Sequence, residues 1–156
     1  MAVFLFYGQE EYLMEKEIKK LKDELLNASF ASMAYKVFDN PLYNTLIECV
    51  QSSPLMFGNT LNLIHIDKYL IGNKMSLDDK QMEVFSQALE SLNPSVNIIF
   101  VCKIPRDETK KPDSRKKIYK IISKYSQVRE FAQFKTYQKE LNTQISKMAK
   151  EKDLVI

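Results

Sequence analysis

Short apolar runs alternate with longer amphipathic stretches along most of this chain. The length of the runs and their β-branched and aromatic residues predict buried strands. These predicted strands are residues 3–7, 34–38, 61–66, 96–102 and 128–131. Between them, apolar positions recur every three or four residues, as Met14, Ile18 and Leu21 do, and this spacing predicts helices. The predicted order of elements is βαβαβαβαβα, with the last helix over 137–152.

Strands that alternate with helices of this length favour one α/β architecture. We expect a five-stranded parallel sheet covered by helices on both faces, which gives three layers with right-handed crossovers. Three helix starts are predicted from polar residues with capping side chains. They are Asn40 before Pro41, Asp78 and Asp113.

Composition narrows the class of protein. The chain has 156 residues, 45% of them apolar and 28% charged, which is typical of a globular domain. Its net charge of +3 is too small to predict nucleic-acid binding over the whole surface. Cys49 and Cys102 lie far apart in apolar surroundings, which favours free thiols in a cytoplasmic protein. No apolar run approaches the roughly 20 residues that span a bilayer, so we expect no membrane contact.

The segment after the first predicted strand resembles a phosphate-binding loop only at its first residue. That loop has a glycine, four residues, and then Gly-Lys-Ser/Thr. Gly8 supplies the first glycine, but the three later positions are Leu13, Met14 and Glu15. Negative charge at this helix start comes from Glu10, Glu11 and Glu15. Because this charge repels phosphate, we interpret Gly8 as a turn glycine in a degenerate nucleotide site.

No arrangement of residues predicts catalysis. Asp67 follows the third strand, where nucleotide hydrolases often hold a metal ion, but Lys68 follows it and no second acid does. His65 is the only histidine and lies within an apolar run, which favours a packed side chain over a general base. We therefore predict no catalytic site, no metal and no cofactor.

Positive charge is concentrated in residues 103–125. The cations that we predict as a DNA or partner contact are Arg115, Lys116, Lys117 and Lys120. Lysines and arginines in this density suit a phosphate backbone. Because almost no aromatic residue is interleaved with them, a solvated helix face remains an alternative.

A second unusual segment joins the second helix to the third strand. Leu55, Met56 and Phe57 stand between Pro54 and Gly58 in a connection. These side chains either fold under the sheet or form an exposed apolar contact for a partner's pocket.

Taken in order, four segments resemble the N-terminal domain of the bacterial DNA polymerase III delta subunit, a clamp-loader protein. They are residues 4–13, residues 54–58 before the strand 61–66, residues 97–101 and residues 113–120. The resemblance spans nearly the whole chain, and its specificity comes from the order and spacing of the segments.

The resemblance implies an AAA+-like fold that has lost ATP binding, in a non-catalytic subunit of the replicative DNA polymerase holoenzyme. It implies that the chain binds and opens the sliding clamp (the beta subunit) by inserting a Leu-Phe pair into a pocket. Here the pair falls on Met56 and Phe57, with Leu55 beside them, and methionine replaces leucine.

By the same resemblance, residues 1–134 form the clamp-binding domain and residues 135–156 begin a helical lid that is cut off. Contacts with other clamp-loader subunits would then use domains missing here, and contact with DNA would be weak or indirect. Two rival functions remain. One is a stand-alone DNA-binding module that uses residues 103–125, and the other is a P-loop-like nucleotidase.

Overall fold

The computed structural model describes residues 2–27, 29, 31–51, 58–72, 74–105 and 112–132. Its strands are β1 (Ala2–Gly8), β2 (Tyr35–Asp39), β3 (Thr60–His65), β4 (Val96–Lys103) and β5 (Gln127–Phe131). Its helices are α1 (Glu11–Leu25), α2 (Ala31–Ala34), α3 (Tyr43–Gln51), α4 (Asp67–Leu70), α5 (Asp79–Glu90) and α6 (Lys117–Tyr125). Each of the five predicted strands is present to within two residues.

The five strands form one parallel sheet in the order β2-β3-β4-β1-β5. In the two central strands, Leu5 of β1 is level with Phe100 of β4. Because the strands are parallel, all their carboxyl ends lie at one edge of the sheet and all their amino ends at the other. The predicted five-stranded parallel sheet is confirmed.

Successive side chains of a strand point to opposite faces of the sheet, so each face has its own core. Leu5 belongs to the core under α3, α5 and α6, where Phe85 meets Phe100 edge to face at 6.1 Å. Phe6 belongs to the core under α1, where its ring lies 5.2 Å from that of Phe131. The predicted three layers are therefore present.

Of the three predicted helix starts, only Asp78 is observed as predicted. Its side chain accepts a hydrogen bond from the Gln81 N–H at 2.7 Å, and the Gln81 side chain accepts one from the Asp78 N–H at 3.0 Å. The prediction that Asp113 caps the helix was wrong, because α6 begins only after Lys116. Its carboxylate accepts instead from the Arg115 N–H at 3.0 Å, which forms a turn before the helix.

Asn40 caps a different helix from the one predicted. Its side-chain oxygen accepts from the Lys68 N–H at 2.9 Å, at the start of α4, rather than from an N–H of α3. Asn40 has a φ of 44°, a left-handed conformation that asparagine tolerates. The sequence did not predict α4 or α2, since a single helical turn has no periodicity to detect.

No helix within the described ranges is long and apolar enough to cross a membrane. The helix predicted over 137–152 and the second domain predicted over 135–156 lie outside the described residues.

Candidate functional site

The carboxyl edge of the sheet, where parallel α/β folds usually bind ligands, is closed at the loop after β1. Only Gln9 and Glu10 separate β1 from α1. Their backbone N–H groups, which a phosphate-binding loop directs at its ligand, both donate to the carbonyl oxygen of Phe131, at 3.0 and 3.3 Å. The Gln9 side chain donates to the Pro105 carbonyl at 3.3 Å. The chain's own carbonyl thus occupies the donors that a phosphate would need.

Gly8 makes this closure sterically possible. Its φ is 146°, and a Cβ atom added there would lie 2.0 Å from the Phe131 oxygen. Glycine is therefore required by the close approach of β5. Leu13, Met14 and Glu15 are inside α1, and the Met14 side chain is fully buried. These three positions belong to a packed helix rather than to a ligand-binding loop.

Asp67 takes part in a hydrogen-bonded corner between β2 and α4. Its carboxylate accepts from the Asn40 side-chain N–H at 3.0 Å, and the same amide group donates to Asp39 at 2.8 Å. His65 ends β3 nearby, and burial lowers the pKa of its imidazole. Within the described part of the chain, no three His, Cys, Asp or Glu side chains are grouped to hold a metal ion.

The two thiols are poor candidates for chemistry. Burial raises the pKa of Cys102 to about 12 and that of Cys49 to about 11. Since the thiolate is the reactive form, burial disfavours reaction at both thiols.

Lys116, one of the predicted contact residues, is bonded within the protein. Its ammonium group donates to the Tyr69 carbonyl at 3.3 Å and to the Gly72 carbonyl. The Asp113 N–H donates to the Leu70 carbonyl at 3.1 Å. These bonds fasten the end of α4 to the start of α6, so the Lys116 charge stabilises the fold.

The other three predicted contact residues lie at the surface near Lys116. The Arg115 guanidinium is 3.2 Å from Asp113, and the Lys117 ammonium is 3.6 Å from Asp79. Lys120 is exposed on α6. Because exposed ion pairs of this kind are weak, these cations remain available for a contact. Their role toward DNA or a partner stays a prediction.

At the opposite, amino edge of the sheet, α3 ends at Gln51 and β3 begins at Thr60, and the connection 52–59 joins them in the sequence. The predicted clamp-binding residues Leu55, Met56 and Phe57 fall outside the described residues. The chain is described up to Gln51, the end of α3, and again from Gly58. Gly58 is exposed, and a Cβ atom added to it would meet nothing within 4 Å. The residue next to Phe57 therefore lies at an open surface.

Both ends of this connection are held by buried asparagines. The Asn62 side chain in β3 donates to the Cys49 carbonyl in α3 at 2.7 Å. The Asn97 side chain in β4 donates to the Thr60 carbonyl at 3.0 Å, and the Thr60 N–H donates to the Ser95 carbonyl at 2.9 Å. Sequence reasoning missed both asparagines, although each is a polar residue inside an otherwise apolar strand.

Comparisons with known proteins agree on one family. A family model described as DNA polymerase III, delta subunit, matches residues 4–132. The DNA polymerase III subunit delta of Bacillus subtilis is 26% identical over 129 residues, which cover 80% of this chain and 35% of that protein.

A solved structure shares the fold. The chain resembles the Bacillus subtilis DNA clamp loader delta protein with a TM-score of 0.70 and 19% identity, over 86% of this chain and 39% of that one. The likeness confirms the predicted AAA+-like α/β fold. The chain spans less than two-fifths of the length of either relative.

Proposed function

The chain belongs to the DNA polymerase III delta subunit family, and from that premise we propose that it binds and opens the sliding clamp as part of the bacterial clamp loader. The observation that carries this proposal is the family match from residue 4 to residue 132, which reaches from β1 past the end of β5. The closed loop after β1 supports it, because clamp binding needs no nucleotide in this chain.

Leu55, Met56 and Phe57 are the residues that we assign to the clamp contact. An aromatic anchor that fills a partner's pocket is a common interface hot spot, and methionine adapts to irregular apolar surfaces. The exposure of Gly58 and the turn-forming character of Pro54 support a segment that projects from the amino edge of the sheet.

Opening the clamp requires differential affinity. A binding segment shifts a closed–open equilibrium only if it binds the open or strained clamp more tightly than the closed ring. Burying each large apolar side chain contributes about 1.5–3 kcal/mol before ordering costs are subtracted. Three such side chains favour the open form only to the extent that they bury more apolar surface against it than against the closed ring. Contacts with the other clamp-loader subunits would use other parts of the protein.

The test is calorimetric titration of the chain and its variants against the cognate sliding clamp. Phe57→Ala should weaken binding about 30-fold or more, and Met56→Ala somewhat less. Leu42→Ala is the matched control, because Leu42 is 73% exposed at the opposite edge of the sheet. Its clamp affinity should equal that of the wild type.

Thermal melts of the same variants separate a contact from a core position. If Phe57 packed in the core, Phe57→Ala would lower the free energy of unfolding by about 3–5 kcal/mol, and the assignment would be wrong. A folded Phe57→Ala variant with wild-type affinity would also refute it.

A further inference from the structure

We propose that β2 is a pairing edge at which two copies of this chain join, strand against antiparallel strand, with Val37 on the two-fold axis. The inference goes beyond the proposed function and does not depend on it, because it concerns the outer side of β2 and not the residues assigned to the clamp.

The backbone of β2 has one free side. Within the described ranges, β2 is an outermost strand of the sheet and pairs only with β3. Directly after β2, the Asn40 N–H donates to the His65 carbonyl of β3 at 2.8 Å. Successive residues of a strand direct their backbone groups to alternate sides, so those of Lys36 and Phe38 face β3 as well. The residues whose N–H and C=O groups face outward are Tyr35, Val37 and Asp39.

The middle of this edge lacks the features that usually protect an edge strand, which are proline, a bulge or a central charge. The register of β2 with β3 runs without interruption over all five residues of β2, and no proline lies among them. Val37, at the centre, is apolar and 53% exposed. The other edge strand, β5, has Arg129 at its centre, so two β5 strands that paired there would bring like charges together.

The side chains of β2 are compatible with their own copy in one register. A two-fold axis through Val37 overlaps all five residues and makes the contact isologous. Val37 then lies opposite Val37, Lys36 opposite Phe38, and Tyr35 opposite Asp39, so no like charges face each other. An axis through Lys36 would place two lysines opposite each other, which is destabilising. An axis through Phe38 would leave Tyr35 without an opposite residue in the strand.

The dimer should be weak. Two five-residue strands bury less surface than the roughly 1,200 Å² of a stable interface. We expect a dissociation constant between about 1 μM and 1 mM. Sedimentation equilibrium of the chain up to about 1 mM measures it.

Val37→Lys is the decisive variant. It places two ammonium groups opposite each other on the axis and should weaken dimerisation about 10-fold or more. Val128→Lys is the matched control, because Val128 is 40% exposed on the other edge strand, and it should leave dimerisation unchanged. Val37→Thr keeps the β-branched shape without a charge and should dimerise like the wild type. Thermal melts check that each variant is folded.

A disulfide tests the register. Opposite Cα atoms in a hydrogen-bonded antiparallel pair lie about 5.5 Å apart, within reach of a disulfide. Val37→Cys should therefore form a covalent dimer with oxidised glutathione, whereas Val128→Cys should not. The native thiols Cys49 and Cys102 are buried, so the wild type serves as the blank.

Three results would overturn the proposal. One is a wild type that stays monomeric up to about 1 mM, which would leave the edge to a strand of another protein. The second is a dimer that a folded Val37→Lys variant forms as tightly as the wild type. The third is an equal loss of dimerisation in Val37→Lys and Val128→Lys, which would place the contact elsewhere.

Discussion

The two edges of the sheet use their polar groups in opposite ways. At the carboxyl edge, the N–H groups of Gln9 and Glu10 are both bound to the chain's own Phe131 carbonyl. At the amino edge, the buried side chains of Asn62 and Asn97 hold the backbone at both ends of a connection. The first arrangement closes a place where ligands usually bind, and the second fixes the end of α3 and the start of β3.

This difference teaches that the usual ligand site of a fold does not determine where a given chain makes its contacts. Parallel α/β sheets bind nucleotides at their carboxyl edge, and here the Gln9 and Glu10 N–H groups of the loop after β1 are bonded to the Phe131 carbonyl. Function therefore has to be argued from particular residues rather than from the fold.

The largest effect that we expect is on the carboxyl edge, from Gly8→Ala. The added methyl group would overlap the Phe131 carbonyl, 2.0 Å away. Overpacking together with backbone strain should lower the free energy of unfolding by about 3 kcal/mol or more, measured by urea unfolding.

Gly72→Ala is the control for this change. Gly72 also has a positive φ, 65°, but open space around it. Gly72→Ala should therefore lower the free energy of unfolding only through backbone strain, by about 1–2 kcal/mol. Equal losses for the two alanine variants would show that β5 does not close the loop.

A smaller effect is expected from Lys116→Met at the carboxyl edge. The change removes the bonds to the Tyr69 and Gly72 carbonyls and should lower the free energy of unfolding by about 1–2 kcal/mol, measured by thermal unfolding. Lys120→Met removes an exposed charge and should alter the free energy of unfolding by less than about 0.5 kcal/mol. If the order of the two were reversed, Lys116 would not fasten α4 to α6.

The smallest expected effect is on ATP binding. Replacing Leu13, Met14 and Glu15 with Gly, Lys and Thr creates the sequence motif of a phosphate-binding loop. We still expect no heat of binding with millimolar Mg-ATP in calorimetry, because these positions lie within α1 and the Gln9 and Glu10 N–H groups are already bonded. Micromolar binding by the wild type or the variant would mean that the edge is open.

Local patterns predicted the elements of the fold but not their long-range contacts. Apolar runs and periodicity identified β1 and α1. Leu13 and Met14, which stand where a phosphate-binding loop has glycine and lysine, revealed the degenerate loop. The closure itself depends on Phe131, more than 100 residues along the chain from Gly8, and no local pattern indicates such a contact. Asn40 was assigned to the wrong helix for the same reason, since its partner Lys68 is distant in sequence.

The most direct test of the central claim compares the affinity of the chain for the intact clamp ring with its affinity for a clamp variant that cannot close into a ring. The account predicts tighter binding to the open form, because only differential affinity shifts the clamp toward opening. The ratio of the two dissociation constants, measured by titration under identical conditions, reports that difference. Equal affinities for the closed and open forms would contradict the claim that this chain opens the clamp.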